Sequence, residues 1–262
     1  MAPRPRSGAP ARHREPAQPK LPASLSVPSQ TRQPGDTGQP GDTGQPSHTG
    51  QPGDTGQPDH TGQPPDLESE ATYRGVAFHD VDLSGRSAES VEFEQCRFRG
   101  VDLSGTQIAS ARFTDCLVET SDWANLRSDH GALVRVRFAG ARMTGLGWAS
   151  GVLRDVLFEE CRLDLSGWRF ASFRTVRFDR CKLTGADFTG ADLTGARFTG
   201  CDLSGAHFDN ARMEGAAFRD CVLTGIGGVM SWRGAVVQDS DLVSLSYVLA
   251  GALGIQIERD GG

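Results

Sequence analysis

The residues best suited to chemistry are six cysteines arranged as two ladders. Cys96 and Cys116 form one, and Cys161, Cys181, Cys201 and Cys221 form the other, all at one constant step along the chain. Thiols in such an array could ligate a metal, pair as disulfides or act as nucleophiles. Zinc sites are built on a short Cys-x-x-Cys clip, which this chain lacks. Each cysteine instead takes a small slot that Ala or Val fills elsewhere in the same pattern, so the residues read as buried packing. Parallel side chains and a reducing compartment argue against disulfides. No metal and no cofactor is expected.

Histidines and carboxylates give the other candidate chemistry. His13, His48 and His60 fall in a Pro-rich region, while His79, His130 and His207 are too far apart in the repeat to share a site. Asp82, Asp102 and Asp122 recur at the same step as the cysteines, an arrangement that brings carboxylates together as acid and base work requires. Their column continues as Arg142, Arg162 and Lys182, which describes a solvated ladder with an acidic end. That end is the candidate surface for a protein partner. No nucleophile has a base within reach, and the chain is expected not to be an enzyme.

These residues are positioned by a five-residue period that runs from Phe78 to Leu223 without insertion. It is cleanest at AlaAspPheThrGly (186–190), AlaAspLeuThrGly, AlaArgPheThrGly and CysAspLeuSerGly (201–205). Five matches neither a helix, at about 3.6 residues per turn, nor a flat strand, at 2, so each unit must contain a turn. Positions two apart face the same side. Cys201 and Leu203 therefore point inward, Asp202 points to water, and Ser or Thr followed by Gly makes the corner.

Stacked units must fill similar space, so residue type tells how many pentads close a coil. At a step of 20, one column reads Phe78, Phe98, Val118, Phe138, Phe158, Phe178, Phe198, Phe218; the next reads Leu83, Leu103, Trp123, Met143, Leu163, Leu183, Leu203, Leu223. A step of 15 would mix Phe with Leu. Four pentads thus make one coil, and residues 71–228 form an all-β, four-sided solenoid of about 7 to 8 coils, ~36 Å long. The pattern weakens between Ser121 and Gly151, where lateral distortion is expected. Trp148 and Trp168 take central positions on the third face and read as core.

Residues 1–70 hold most of the prolines and almost no large apolar residues, a composition that predicts a disordered tail. Within it GlnProGlyAspThrGly recurs from Gln33, and Ser47, Asp59 and Pro65 interrupt the glycine spacing a collagen helix needs, which leaves a flexible spacer. After Leu223 the repeat fails at Gly227 and Gly228, and residues 229–262 change period. Leu242, Leu245, Leu249 and Leu253 form a helical stripe, with Asp239 or Ser240 as N-cap and Gly254 as C-cap. IleGlnIle (255–257) reads as a short strand. The helix is suited both to cover the last coil's open edge and to offer Leu242, Leu245, Leu249 and Leu253 to a second subunit, giving a homodimer. The N-terminus lacks the apolar stretch of a secretion signal and no segment is long enough to span a membrane, so a cytoplasmic protein is expected.

The quoted pentads resemble the pentapeptide-repeat family, whose members are right-handed four-sided β-helices. The ending SerTyrValLeuAlaGlyAlaLeuGlyIleGlnIle (246–257) is similar to the C-terminal helix and strand through which the quinolone-resistance branch dimerises. That resemblance implies binding to DNA gyrase or topoisomerase IV by mimicry of duplex DNA, with protection from quinolones or related toxins and without direct nucleic-acid binding. A rigid scaffold for another protein is the alternative. Two features depart from the branch. The loops of its plasmid-borne members are missing, and residues from Ala71 onward carry about 21 basic and about 25 acidic side chains. Duplex DNA of the same ~36 Å carries about 21 negative charges.

Overall fold

A turn in every fifth position dictates the architecture, and the backbone carries it out. In the computed structural model, which describes residues 14–26 and 67–256, every fifth residue from Gly75 to Gly225 has a positive φ. Glycine adopts that conformation freely. Asp, Asn, Ser, Thr, Arg and even Leu165 (φ 58°) and Phe170 (φ 58°) hold it as well. The corner is therefore imposed by the stacked coils around it and is not confined to the Ser/Thr-Gly units.

Between corners, short parallel segments pair with the segment four pentads further on. Phe78 aligns with Phe98, Phe158 with Phe138 and Phe178, and Phe198 with Phe218. Bridges from Asp82 to Asp102, from Gly147 to Gly167 and from Asp187 to His207 keep the same step on other faces. The chain is a parallel, four-sided β-solenoid. Its core is the inward residues of all four faces, and both predicted columns are buried throughout. Phe rings stack directly, with centroids 4.7 Å apart for Phe158 and Phe178 and 4.8 Å for Phe198 and Phe218. That is the spacing between strands, so backbone pairing and ring stacking share one repeat.

The weakened stretch keeps its register. Strands Ala132–Ala139, Val152–Glu159 and Ser172–Asp179 run across a corner there. The expected distortion is avoided because Gly131 and Gly151 make room for the Trp148 indole, which lies only 2.5 Å and 2.4 Å from where their Cβ atoms would stand. Trp148 and Trp168 are fully buried core residues. Polar residues in inward slots find partners: Thr106 donates to the Leu83 carbonyl at 2.8 Å, and Ser166 accepts from the Trp168 indole at 2.7 Å.

The C-terminal end of the solenoid is covered. Trp232 stacks on Phe218 at 4.5 Å and extends the Phe column, and Val236–Val237 pairs with Ala217 and Phe218. A 3-10 turn, Asp239–Asp241, leads into the helix α1 (Leu242–Ala252). No side chain caps its N-terminus, in contrast to the Asp239 or Ser240 cap. Its C-terminus closes as read: Gly254 has φ +70°, its amide donates to the Gly251 carbonyl at 3.1 Å, and Ile255 donates to Ala250 at 2.8 Å. Ile255 and Gln256 are not in a strand, and Ile257 lies outside the described residues.

The region expected as a disordered tail differs over residues 14–26. They lie in extended form against the solenoid, where Ser26 bridges Val76 and Glu15 pairs with Arg177. The hexapeptide repeats, together with His13, His48 and His60, lie outside the described residues.

Candidate interaction surface

Because inward positions are taken up by packing, any function must be carried by side chains on the outside. In the column named as a partner surface, Asp82, Asp102 and Asp122 are successive bridge partners, followed by Arg142, Arg162 and Lys182. Each aspartate has local work. Oδ1 of Asp82, Asp102 and Asp122 accepts from the backbone amide two residues later, at 2.9, 2.8 and 2.9 Å. Such a bond fixes the corner. The Ser84 hydroxyl and amide hold Asp82 below its ordinary carboxylate value. Asp122 also pairs with Arg142 at 2.7 Å, where the column changes sign.

Arginines on the adjoining face are largely neutralised within the rod. Arg97 pairs with Glu119 and Arg137 with Glu159, each on the next coil. The equivalent neighbour of Arg197 is Arg219 instead. Burial, with repulsion from Arg219, lowers the Arg197 pKa, and its buried Nη2 has no hydrogen-bond partner among the described residues.

The cysteines are buried, free thiols that donate to backbone carbonyls, as from Cys201 to Phe178 at 3.4 Å. The hydrogen bond with Cys181 and burial push the Cys201 thiol up to about 12. A thiol so protonated is a poor ligand and nucleophile; at the start of each ladder the hydrogen bond with the next thiol acts the other way and holds Cys96 and Cys161 below the ordinary value. No cluster of three or more His, Cys, Asp or Glu suited to a metal occurs among the described residues. His79, His130 and His207 are exposed on separate coils.

The leucines named for a dimer face are divided by the structure. Leu245 is 7% exposed and faces the solenoid, whereas Leu242, Leu249 and Leu253 are 47%, 39% and 65% exposed. Val243 and Tyr247 join them on the open side. Sequence reasoning missed one further surface, the corner column of Gln95, Asp115, Arg135 and Asp155, against which residues 14–26 lie. The recurrence of Asp115 and Asp155 two coils apart is legible in the sequence, but nothing in it connects them with the N-terminal prolines.

This fold and surface define the class: a parallel β-solenoid built from pentads, with its chemistry on the outside. The repeat region is a pentapeptide-repeat domain, and the pattern of that family, Pentapeptide repeats, matches in eight copies over residues 78–115, 168–200 and 186–225. No match to a curated protein was found. Among solved structures, a trypsin-treated form of QnrB1, a plasmid-mediated fluoroquinolone resistance protein, is 19% identical with a TM-score of 0.34, over 73% of this chain and 93% of that one. HetL, a pentapeptide repeat protein involved in heterocyst differentiation regulation in the cyanobacterium Nostoc sp. strain PCC 7120, is 14% identical with a TM-score of 0.29, over 66% and 92%. A pentapeptide repeat protein of the Arabidopsis thaliana thylakoid lumen is 21% identical with a TM-score of 0.23, over 43% and 68%. Likenesses this distant carry no argument about what the chain does. No helix among the described residues is long and apolar enough to cross a membrane.

Proposed function

We propose that the protein acts without catalysis, by binding another protein along the outside of the rod, and that the partner is DNA gyrase or topoisomerase IV. The observation that carries the binding role is the division of labour in every pentad: inward residues stack into a continuous core, and outward residues form fixed columns of charge. A surface set at a constant ~4.8 Å step is suited to reading another extended surface. The choice of topoisomerase rests on the resemblance of the pentads and of residues 246–257 to the quinolone-resistance branch. In that reading the exposed Leu242, Leu249 and Leu253 join two copies, Leu245 closes the solenoid, and Asp82, Asp102 and Asp122 contribute the acidic end.

The test is a supercoiling and cleavage assay with purified gyrase, with and without a quinolone. The expected outcome is inhibition of supercoiling or relief of drug-induced cleavage. No effect on either, at protein concentrations well above the enzyme, would exclude the topoisomerase.

A second reading, a scaffold for a different protein, is favoured by the charge pattern. Pairing of Arg97 with Glu119 and Arg137 with Glu159, and the sign change at Arg142, leave a mixed surface. The repeat region's net charge of −2, from 19 basic and 21 acidic residues over 71–228, is small beside the ~21 charges of duplex DNA over the same length. Stoichiometric recovery of a partner other than a topoisomerase would select this reading.

A further inference from the structure

The segment Arg14–Ser26 crosses the coils against their direction of growth. Ser26 begins at the first coil, where its amide donates to the Gly75 carbonyl at 2.9 Å and its carbonyl accepts from Ala77 at 2.8 Å. At the other end Glu15 pairs with Arg177, five coils on. Between them lie two further backbone contacts. The Lys20 amide donates to Oδ1 of Asp115 at 3.1 Å, and the Ala17 amide donates to Oδ1 of Asp155 at 3.5 Å. The step from Ala17 to Lys20 in the segment thus matches the two coils from Asp155 to Asp115 in the rod.

This match has a physical origin. Pro16, Pro19 and Pro22 recur at every third position, the period of a polyproline II helix, which advances about 9.3 Å per turn. Two coils advance about 9.6 Å. The residues that donate, Ala17 and Lys20, each follow a proline and supply the amide that proline lacks. Pro16 is buried, and Gln95 donates its side-chain amide to the Lys20 carbonyl at 3.1 Å. Arg135 holds the Asp115 carboxylate from its other side with two bonds of 2.7 Å, which fixes the acceptor.

We propose that the corner column through Gln95, Asp115 and Asp155 is a docking groove for an extended Pro-x-x-Pro peptide, and that residues 14–26 of this chain occupy it as a tethered strap. Docked in this way, the strap closes the groove to any second peptide of the same chemistry. Its link through residues 27–66 gives it the advantage of high effective concentration over such a competitor.

The experiment uses the full chain and a fluorescent peptide of residues 14–26, with binding read by anisotropy. Ala17→Pro with Lys20→Pro deletes both donating amides while keeping the polyproline conformation, so the variant's own strap releases. The peptide is expected to bind this variant and to bind the parent about tenfold more weakly or less. Adding Asp115→Ala and Asp155→Ala to the variant removes the binding, while hydrogen exchange of coil amides in the same sample verifies that the solenoid remains folded. Exchange at Ala17 and Lys20 is slow in the parent. Equal peptide binding to parent and variant, no binding to the variant, or fast exchange at Ala17 and Lys20 in the parent would each overturn the proposal.

Discussion

Residue by residue, the inward columns carry the stability. Phe178 is stacked between Phe158 and Phe198 at 4.7 and 4.9 Å, so Phe178→Ala leaves a cavity that neighbours cannot fill without breaking register. Calorimetry is expected to show a loss of ~3 to 5 kcal/mol. Gly151→Ala meets the opposite problem, since its Cβ would stand 2.4 Å from Trp148 Cδ1 in a full core. A cost of ~1 to 3 kcal/mol is expected by the same measurement. Cys201 gives a pH dependence. Its thiol ordinarily titrates near 9.0 and is raised to about 12 in the folded chain. The stability it contributes is complete below its unfolded value and falls as pH rises from about 9 toward about 12. Cys201→Ala should therefore lose less of its melting temperature than the parent over that window. Cysteine packing was legible because the thiols share slots with Ala and Val, whereas the accommodation of Trp148 by Gly131 and Gly151 required knowing which side chain reached across the coil.

Among elements, the pentads disclosed their faces but not the whole of their corners. A Ser/Thr-Gly corner is a local signal, and it found the turns at Gly190, Gly195 and Gly200. Leu165 and Phe170 adopt the same conformation because stacking on either side enforces it, which no local propensity reveals. The helix end at Gly254 is legible through glycine, while the strand expected from two isoleucines at 255–257 does not form at Ile255 or Gln256, where the Ile255 amide closes the helix instead. In α1, Leu245→Glu and Leu249→Glu should separate two roles. Burial of a carboxylate at Leu245 should lower the melting temperature by several degrees, and Leu249→Glu should leave it within a degree or two while yielding monomers by light scattering. A dimer unaltered by Leu249→Glu would refute the interface. The strap escaped the composition argument because it docks through backbone hydrogen bonds and prolines, without the apolar periodicity that marks a buried element.

On the scale of the whole molecule, a rod ~36 Å long offers a partner columns of mixed charge and an apolar end. The sequence disclosed this architecture almost fully because a constant step of four pentads repeats every inward contact. Function is less legible, since outward residues are free to vary without disturbing the stack. At this scale we propose that the outer surface binds a type II topoisomerase. Its most direct measurement is a binding titration of the full-length protein against purified gyrase or topoisomerase IV, with and without duplex DNA. Saturable binding that DNA displaces and added salt weakens is the expected result. No saturable binding to either enzyme, at concentrations well above those of the enzyme, would contradict it.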